Sequence, residues 1–334
     1  MNIENKQASR PARKLLGAAI ASICLLVLIR CASNRLHQIT QPNDAPTTST
    51  KDCIIVAGKR VGIGTRVITW HEPEGYSAYL EGKHFDRSEV PDGSRRYSSR
   101  AGLPTGQQAE SIEHEDLKNL VRQFVVHYDM AGCSRQCFKV LQDIRNLSVH
   151  FLLDLDGTIY QTLDIREKAW HATISNDFAV GIEMAHPGAW KSPLNADMRR
   201  WYEQDSDGWR QKFPKWMKET GFSTTQFIAR PERPDFISGI VQGDEYHQFD
   251  FTPEQYAALP KLLAGLNQAL PRIRLDAPRD AAGIVINHVL PKAQLLAFDG
   301  VVGHFHVQKN KQDPGPAFQW ERVLREARVI ANTR

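Results

Sequence analysis

His150-Phe151-Leu152-Leu153-Asp154-Leu155-Asp156-Gly157-Thr158-Ile159-Tyr160-Gln161 reads as two β-rich runs folded back on each other across an Asp-Gly turn. Asp156-Gly157 is a preferred two-residue connection, so Val149 to Leu163 is predicted to be a hairpin. Upstream, Leu120 to Tyr128 has the apolar character of a buried strand and contains Phe124-Val125-Val126-His127-Tyr128. Between the two, Arg135 to Arg145 places Phe138, Val140, Leu141 and Ile144 on one side, with Ser134 as N-cap, and predicts an amphipathic helix. Downstream, Val180 to Met184 is a short strand. Thr252-Pro253-Glu254-Gln255 is a capping box with proline at the first helical position. Tyr256, Leu259, Leu263, Leu266 and Leu270 follow it at helical spacing, and Pro260 predicts a kink. Val301-Val302-Gly303-His304 is a further strand-like run, and Trp320 to Ala331 a last helix. Strands interleaved with helices specify an α/β fold, a mixed central β-sheet flanked by helices.

The remaining chain divides by composition. Lys6, Arg10, Arg13 and Lys14 precede Leu15 to Ile29, a run of 15 uncharged, mostly apolar residues. That is the basic and apolar pattern of an export signal, short for a spanning helix of ~20 residues. Leu28-Ile29-Arg30-Cys31 resembles the lipobox of bacterial lipoproteins, except that Arg30 stands where that motif has a small residue. Lipidation at Cys31 and an uncleaved signal anchor are therefore both open. Either one implies an extracytoplasmic, membrane-tethered protein of the periplasm or cell envelope. The expected organisation is an export segment over 1–31, a linker over 32–52, an N-terminal extension over 53–118 and a main domain over 119–330. The main domain carries a long insertion at about 187–245. Pro42, Pro46 and a Thr-Ser-rich stretch mark the linker.

Within the extension, Cys53 to Ala57 and Arg66 to Trp70 are predicted to pair as a hairpin, and residues 73–112 are polar without a functional reading. In the insertion, Met198 to Phe213 suggests a helix, and Gly239-Ile240-Val241 a return to the sheet. Its Trp190, Trp201, Trp209 and Trp216 form either a satellite hydrophobic cluster or a platform for sugar rings.

Charge excludes one class of partner. The formal net charge of +4 comes from residues 1–31, and removing them leaves 37 basic and 37 acidic residues. No basic patch of the kind that neutralises phosphates is present, so nucleic acid is not an expected partner. A monomer is expected.

The chemistry is concentrated in a few side chains. His127 lies in the first strand, His304 closes a later one, and Asp313 opens Asp313-Pro314-Gly315-Pro316, two residues after Lys311. Two imidazoles and a carboxylate make a three-ligand zinc set with an open fourth position, the pattern of a catalytic zinc. His306 competes with His304, because residues two apart on a strand share a face. Glu183 ends an apolar strand and is the candidate proton shuttle. Lys311 is the candidate partner for an oxyanion. His71, His84, His114, His186, His247 and His288 read as structural or surface residues.

Six blocks, in order, resemble the zinc N-acetylmuramoyl-L-alanine amidases and the peptidoglycan recognition proteins related to them. They are Val125 to Tyr128, His150 to Gln161, Ala169-Trp170-His171-Ala172, Asn176 to Glu183, Gly303-His304, and Lys311 to Trp320. The resemblance covers about residues 120–186 and 246–328. It implies that fold, Zn2+ on His127, His304 and Asp313, and catalysis by Glu183 and Lys311. It also implies a groove lined by Trp170, His171 and Asn176 that receives peptidoglycan or muropeptides. The bond cut would join N-acetylmuramic acid to L-alanine of the stem peptide. The alternative reading is a non-catalytic peptidoglycan-binding protein; Asp313, the third ligand, argues against it. Cys133 and Cys137 stand where peptidoglycan recognition proteins carry a local disulfide, and their C-x3-C spacing leaves a bridge open.

Overall fold

The computed structural model describes residues 50–80, 83–85, 97–101 and 112–334. The expectations for the export segment and most of the linker lie outside the described residues. Fourteen strands are present among those described. The first four are β1 (Cys53–Val56), β2 (Lys59–Gly62), β3 (Val67–Thr69) and β4 (Tyr97–Ser98). The main domain adds β5 (Gln123–Tyr128), β6 (Phe151–Leu153), β7 (Ile159–Gln161), β8 (Lys168–Ala169) and β9 (Ala179–Met184). Later come β10 (Tyr202–Asp205), β11 (Gly208–Gln211), β12 (Ile237–Val241), β13 (Asp244–Gln248) and β14 (Gly300–Gly303).

Six of them make the central sheet, in the order β14-β5-β9-β6-β7-β3. All neighbours run parallel except the β6–β7 hairpin, so the sheet is mixed. Side chains alternate across it. Phe124, Val126, Tyr128, Val180 and Ile182 face one layer, packed with helix residues such as Tyr256, Leu259, Leu263, Val323 and Leu324. Val125, Ala179 and Val302 face the other, against Leu290 and Leu295. The first layer is built by the helices Pro253–Ala269 and Trp320–Asn332. A fully buried Leu or Phe contributes ~1.5–3 kcal/mol, so this two-sided burial of apolar strands is what holds the sheet.

The capping box does more than start its helix. Thr252 Oγ1 accepts from Gln255 N at 3.1 Å and donates to Leu155 O at 2.6 Å. Gln255 Nε2 reaches Leu153 O and Ala185 O, at the ends of β6 and β9. The helix entry is thereby fastened to the sheet edge where the site lies.

Several local expectations are corrected. The first hairpin is β1–β2, turning at Ala57 and Gly58, both with positive φ. Val67–Thr69 instead pairs parallel with β7 as the edge strand of the central sheet. The β6–β7 connection is longer than two residues: Asp154 N bonds Thr158 O, and Gly157 takes φ +79°. A Cβ at Gly157 would stand 2.9 Å from Glu254 O, so glycine is also what lets the hairpin tip reach the capped helix.

The 134–145 helix has Cys133, not Ser134, as its N-cap, and it widens into π geometry over Val140–Arg145. Asp154 Oδ1 accepts from Ser134 N and Leu155 N, doing from another element what a capping Ser would do. Cys133 and Cys137 are free and buried. In the insertion the helix is only Ala196–Trp201, after which β10 and β11 form a hairpin whose Ser206-Asp207 turn breaks the helical period. Gly239–Val241 does not rejoin the sheet, because β12 pairs with β13 as a separate ribbon. Trp190, Trp201 and Trp209 pack with Tyr202, Phe236 and Phe249 in a satellite cluster, while Trp216 is exposed.

Candidate metal centre and active site

The parallel strands β14, β5 and β9 end side by side. In an open α/β sheet the crevice beyond such carboxyl ends is where ligands bind. Register puts His127 opposite Glu183 across β5 and β9, and Val126 opposite Gly303 across β5 and β14. His304 follows Gly303 at once, as the first residue of the one-turn helix His304–Val307. Asp313 returns to the same place because Phe305 N bonds Asp313 O, closing the intervening loop.

His127 Nδ1 lies 2.9 Å from His304 Nδ1, and each of these nitrogens lies about 3.0 and 2.9 Å, respectively, from Asp313 Oδ2. All three side chains are buried. Among the described residues this is the one cluster of three such donors within ligand distance of one another. The outer ring nitrogens are also held. His304 Nε2 meets Gln308 Oε1 at 2.8 Å, an acceptor, so that nitrogen carries the proton. His127 Nε2 meets His171 Nδ1 at 2.9 Å. With His127 protonated on Nε2, two imidazole lone pairs and a carboxylate converge with no proton among them, and such a donor set fits a divalent cation. Burial and the neighbouring His304 ring depress His127 to about 4, so it stays neutral. Burial alone would raise Asp313, but the two imidazoles hold it well below the usual carboxylate range.

His306 does not join the cluster. Helical geometry turns it away: its Nδ1 accepts from Gly303 N at 2.9 Å and its Nε2 meets Ile286 O at 2.5 Å. His186 is likewise engaged elsewhere, between Gly188 N and Phe249 O.

Glu183 sits next to His127 with its Oε2 buried and without a hydrogen-bond partner. Burial raises its pKa well above the ordinary value, and the carboxylates of Asp313 and Asp129 push it further up. Lys311 and Arg145 pull it back down. A carboxyl whose charge is unfavourable until a cation approaches is suited to carrying a proton.

The three groove candidates take different stations. Trp170 is 41% exposed, with Lys168 Nζ 5.7 Å from its ring. His171 turns inward, its Nδ1 against His127 Nε2. Its ring lies flat on β9, where any Cβ at Gly181 would stand 2.4 Å from Cε1. Asn176 holds this loop: its Oδ1 accepts from the His171 and Ala172 amides.

Two supports have no signal in a single sequence. Arg100, buried and remote in the chain, donates to the carbonyls of Ile165, Asn176, Asp177 and Ala179, pinning both ends of the His171 loop. His150 lies beneath it, donating through Nε2 to Glu167 O and accepting at Nδ1 from Gly181 N. Burial, helped by the Arg100 charge, depresses His150 to about 3. Long-range proton–nitrogen NMR is therefore expected to find His150 neutral at pH 5, where ordinary imidazoles with pKa ~6.5 are mostly protonated. Protonation above pH 5 would contradict the buried network.

Residues 117–217 match the family model described as N-acetylmuramoyl-L-alanine amidase. Over that stretch the chain is similar to this amidase family. The match includes His127, His171 and Glu183 and stops before His304 and Asp313, which the fold returns to the same place. Among solved structures, a selenomethionine derivative of AmpD is 17% identical, covering 75% of this chain and 98% of its own, with TM-score 0.32. The N-acetylmuramyl-L-alanine amidase AmiD from E. coli, complexed with the substrate anhydro-N-acetylmuramic acid-L-Ala-D-gamma-Glu-L-Lys, is 19% identical. That alignment covers 69% of this chain and 65% of AmiD, with TM-score 0.36. The amidase LysC from Clostridium intestinale URNW is 15% identical over 64% of this chain and 88% of its own, with TM-score 0.33. No curated protein matches the chain.

Proposed function

We propose that this amidase-family protein is a zinc-dependent hydrolase of the amide between N-acetylmuramic acid and L-alanine in peptidoglycan or its fragments. The observation that carries the reading is the convergence of His127 Nδ1, His304 Nδ1 and Asp313 Oδ2 at the sheet edge of an amidase-family domain. Those three would hold the zinc, which when bound supplies a Lewis acid that polarises a carbonyl and activates water.

The protein's own groups do the rest. Glu183 takes a proton from the attacking water at Oε2 and hands it to the leaving amide nitrogen, so the stem peptide departs as an amine. Lys311 sets a positive charge against the carbonyl oxygen as it becomes anionic. His171 fixes the His127 ring so that Nδ1 faces inward, and Trp170 offers an apolar face at the rim. Export and membrane tethering through the N-terminal segment belong to the same proposal, since the substrate lies outside the cytoplasm.

The test is a muropeptide digest followed by mass spectrometry. Free stem peptides beginning with L-alanine, and glycan strands lacking them, are the expected products. Intact muropeptides together with tight polymer binding would favour the non-catalytic alternative. His171→Phe is expected to weaken zinc affinity ~10–100-fold, the usual cost of removing a group that orients a ligand. Chelator competition measures it, and wild-type affinity would show that the strand alone orients His127.

A further inference from the structure

We infer that the β12–β13 ribbon of the insertion is a clamp for the loop bearing His304, Lys311 and Asp313, with Gln242 at its tip as the positioning residue. The inference rests on the metal-centre reading for its functional meaning, but the contacts themselves do not.

Gln242 and Gly243 form the ribbon's two-residue turn, with φ +56° and +86°. Both central residues of such a turn are left-handed, a conformation that suits Asn or Gly and disfavours Gln. What Gln242 gains is outside its own hairpin. Its Nε2 donates to the carbonyls of Phe305, Gln308 and Lys311 at 2.9, 3.0 and 3.1 Å. Its Oε1 accepts from Val289 N at 3.0 Å, and its backbone N–H reaches Asn287 O. The first two carbonyls belong to the end of the one-turn helix begun by His304, where carbonyls lack helical partners. Gln308 is also the residue whose Oε1 orients the His304 ring. The third carbonyl belongs to Lys311 itself.

The base of the ribbon grips the other end of the loop. Gln248, fully buried, donates through Nε2 to Pro314 O and accepts at Oε1 from Ala317 N. A Cβ at Gly315 would stand 2.1 Å from Gln248 Oε1, and one at Gly239 2.8 Å from Pro316 Cβ. Two side-chain amides of one ribbon thus hold both flanks of a loop whose ends supply two of the three converging donors. The loop's own bonds join Phe305 N to Asp313 O and Lys311 N to Gln308 O, and the ribbon adds donors to the carbonyls of Phe305, Gln308, Lys311 and Pro314.

The experiment uses two variants of the whole protein. Gln242→Gly removes the amide while leaving a turn that glycine favours, so the hairpin is retained. Gln242→Glu keeps the shape but presents a carboxylate to three carbonyls. Amide hydrogen exchange of residues 305–312 in metal-free protein is expected to accelerate at least ~10-fold in both. Zinc affinity by chelator competition is expected to fall ~10–100-fold in both. Asn267→Ala, which removes an amide-to-carbonyl bond to Ile273, should change neither. Wild-type exchange of 305–312 in both variants would overturn the clamp. A Gln242→Glu protein matching wild type in exchange would also overturn it, reducing Gln242 to a space-filling residue. If wild type binds no zinc, the metal reading fails, and the exchange measurement still decides the clamp.

Discussion

Asp313→Ala is expected to abolish peptide release and to strip the protein of zinc. Asp313 supplies the only formal negative charge among the three converging donors, and its Oδ2 lies within 3.0 Å of both imidazole nitrogens. It is also only 7% exposed, so water cannot replace it cheaply. Removing one member of a buried charge arrangement costs ~3–5 kcal/mol, which corresponds to ~10²–10⁴-fold in zinc affinity. Two neutral imidazoles alone make a weak, incomplete set for a catalytic zinc. The fold should survive, because the apolar layers on both faces of the sheet do not depend on Asp313. Elemental analysis and circular dichroism of the variant check both halves. A folded Asp313→Ala protein that retains stoichiometric zinc would show that the metal, if any, sits elsewhere.

Glu183→Gln is expected to separate metal from chemistry. The amide fills the same space beside His127, so zinc should remain bound while turnover falls ~10²–10⁴-fold, the usual contribution of a positioned proton carrier. The pH profile carries the sign. Only the ionised carboxylate can accept the water proton, so wild-type activity rises as pH climbs through the Glu183 pKa. Burial sets that pKa well above the ordinary value in the metal-free protein. Glutamine does not titrate, so residual activity should lose that acidic limb. A variant with the wild-type rate and profile would remove Glu183 from the mechanism.

The three converging donors were legible in sequence because they sit at strand ends and at a proline-rich turn that local pattern marks clearly. His127 and Glu183 come from apolar strands whose period is plain, and parallel pairing then sets them side by side. The hairpin and the capping box were legible for the same reason, since both are local. Non-local pairing was not. Val67–Thr69 is three residues long and becomes a sheet strand only because β7 lies beside it. Arg100 and Gln242 look like ordinary polar loop residues until the carbonyls they satisfy are brought to them from 65 and 63 residues away or more. The contact of His171 with His127 has no local signal either, because it depends on the loop that Asn176 holds. The tryptophans of the insertion could be counted but not sorted, because packing against Phe249 is a tertiary fact.

The most direct test is zinc content of the purified protein by elemental analysis, combined with peptide release before and after chelation. The expected result is about one zinc per chain, loss of peptide release on chelation and its return with added zinc. A protein that contains no zinc yet still binds peptidoglycan would be a recognition protein, and the proposed chemistry would be wrong.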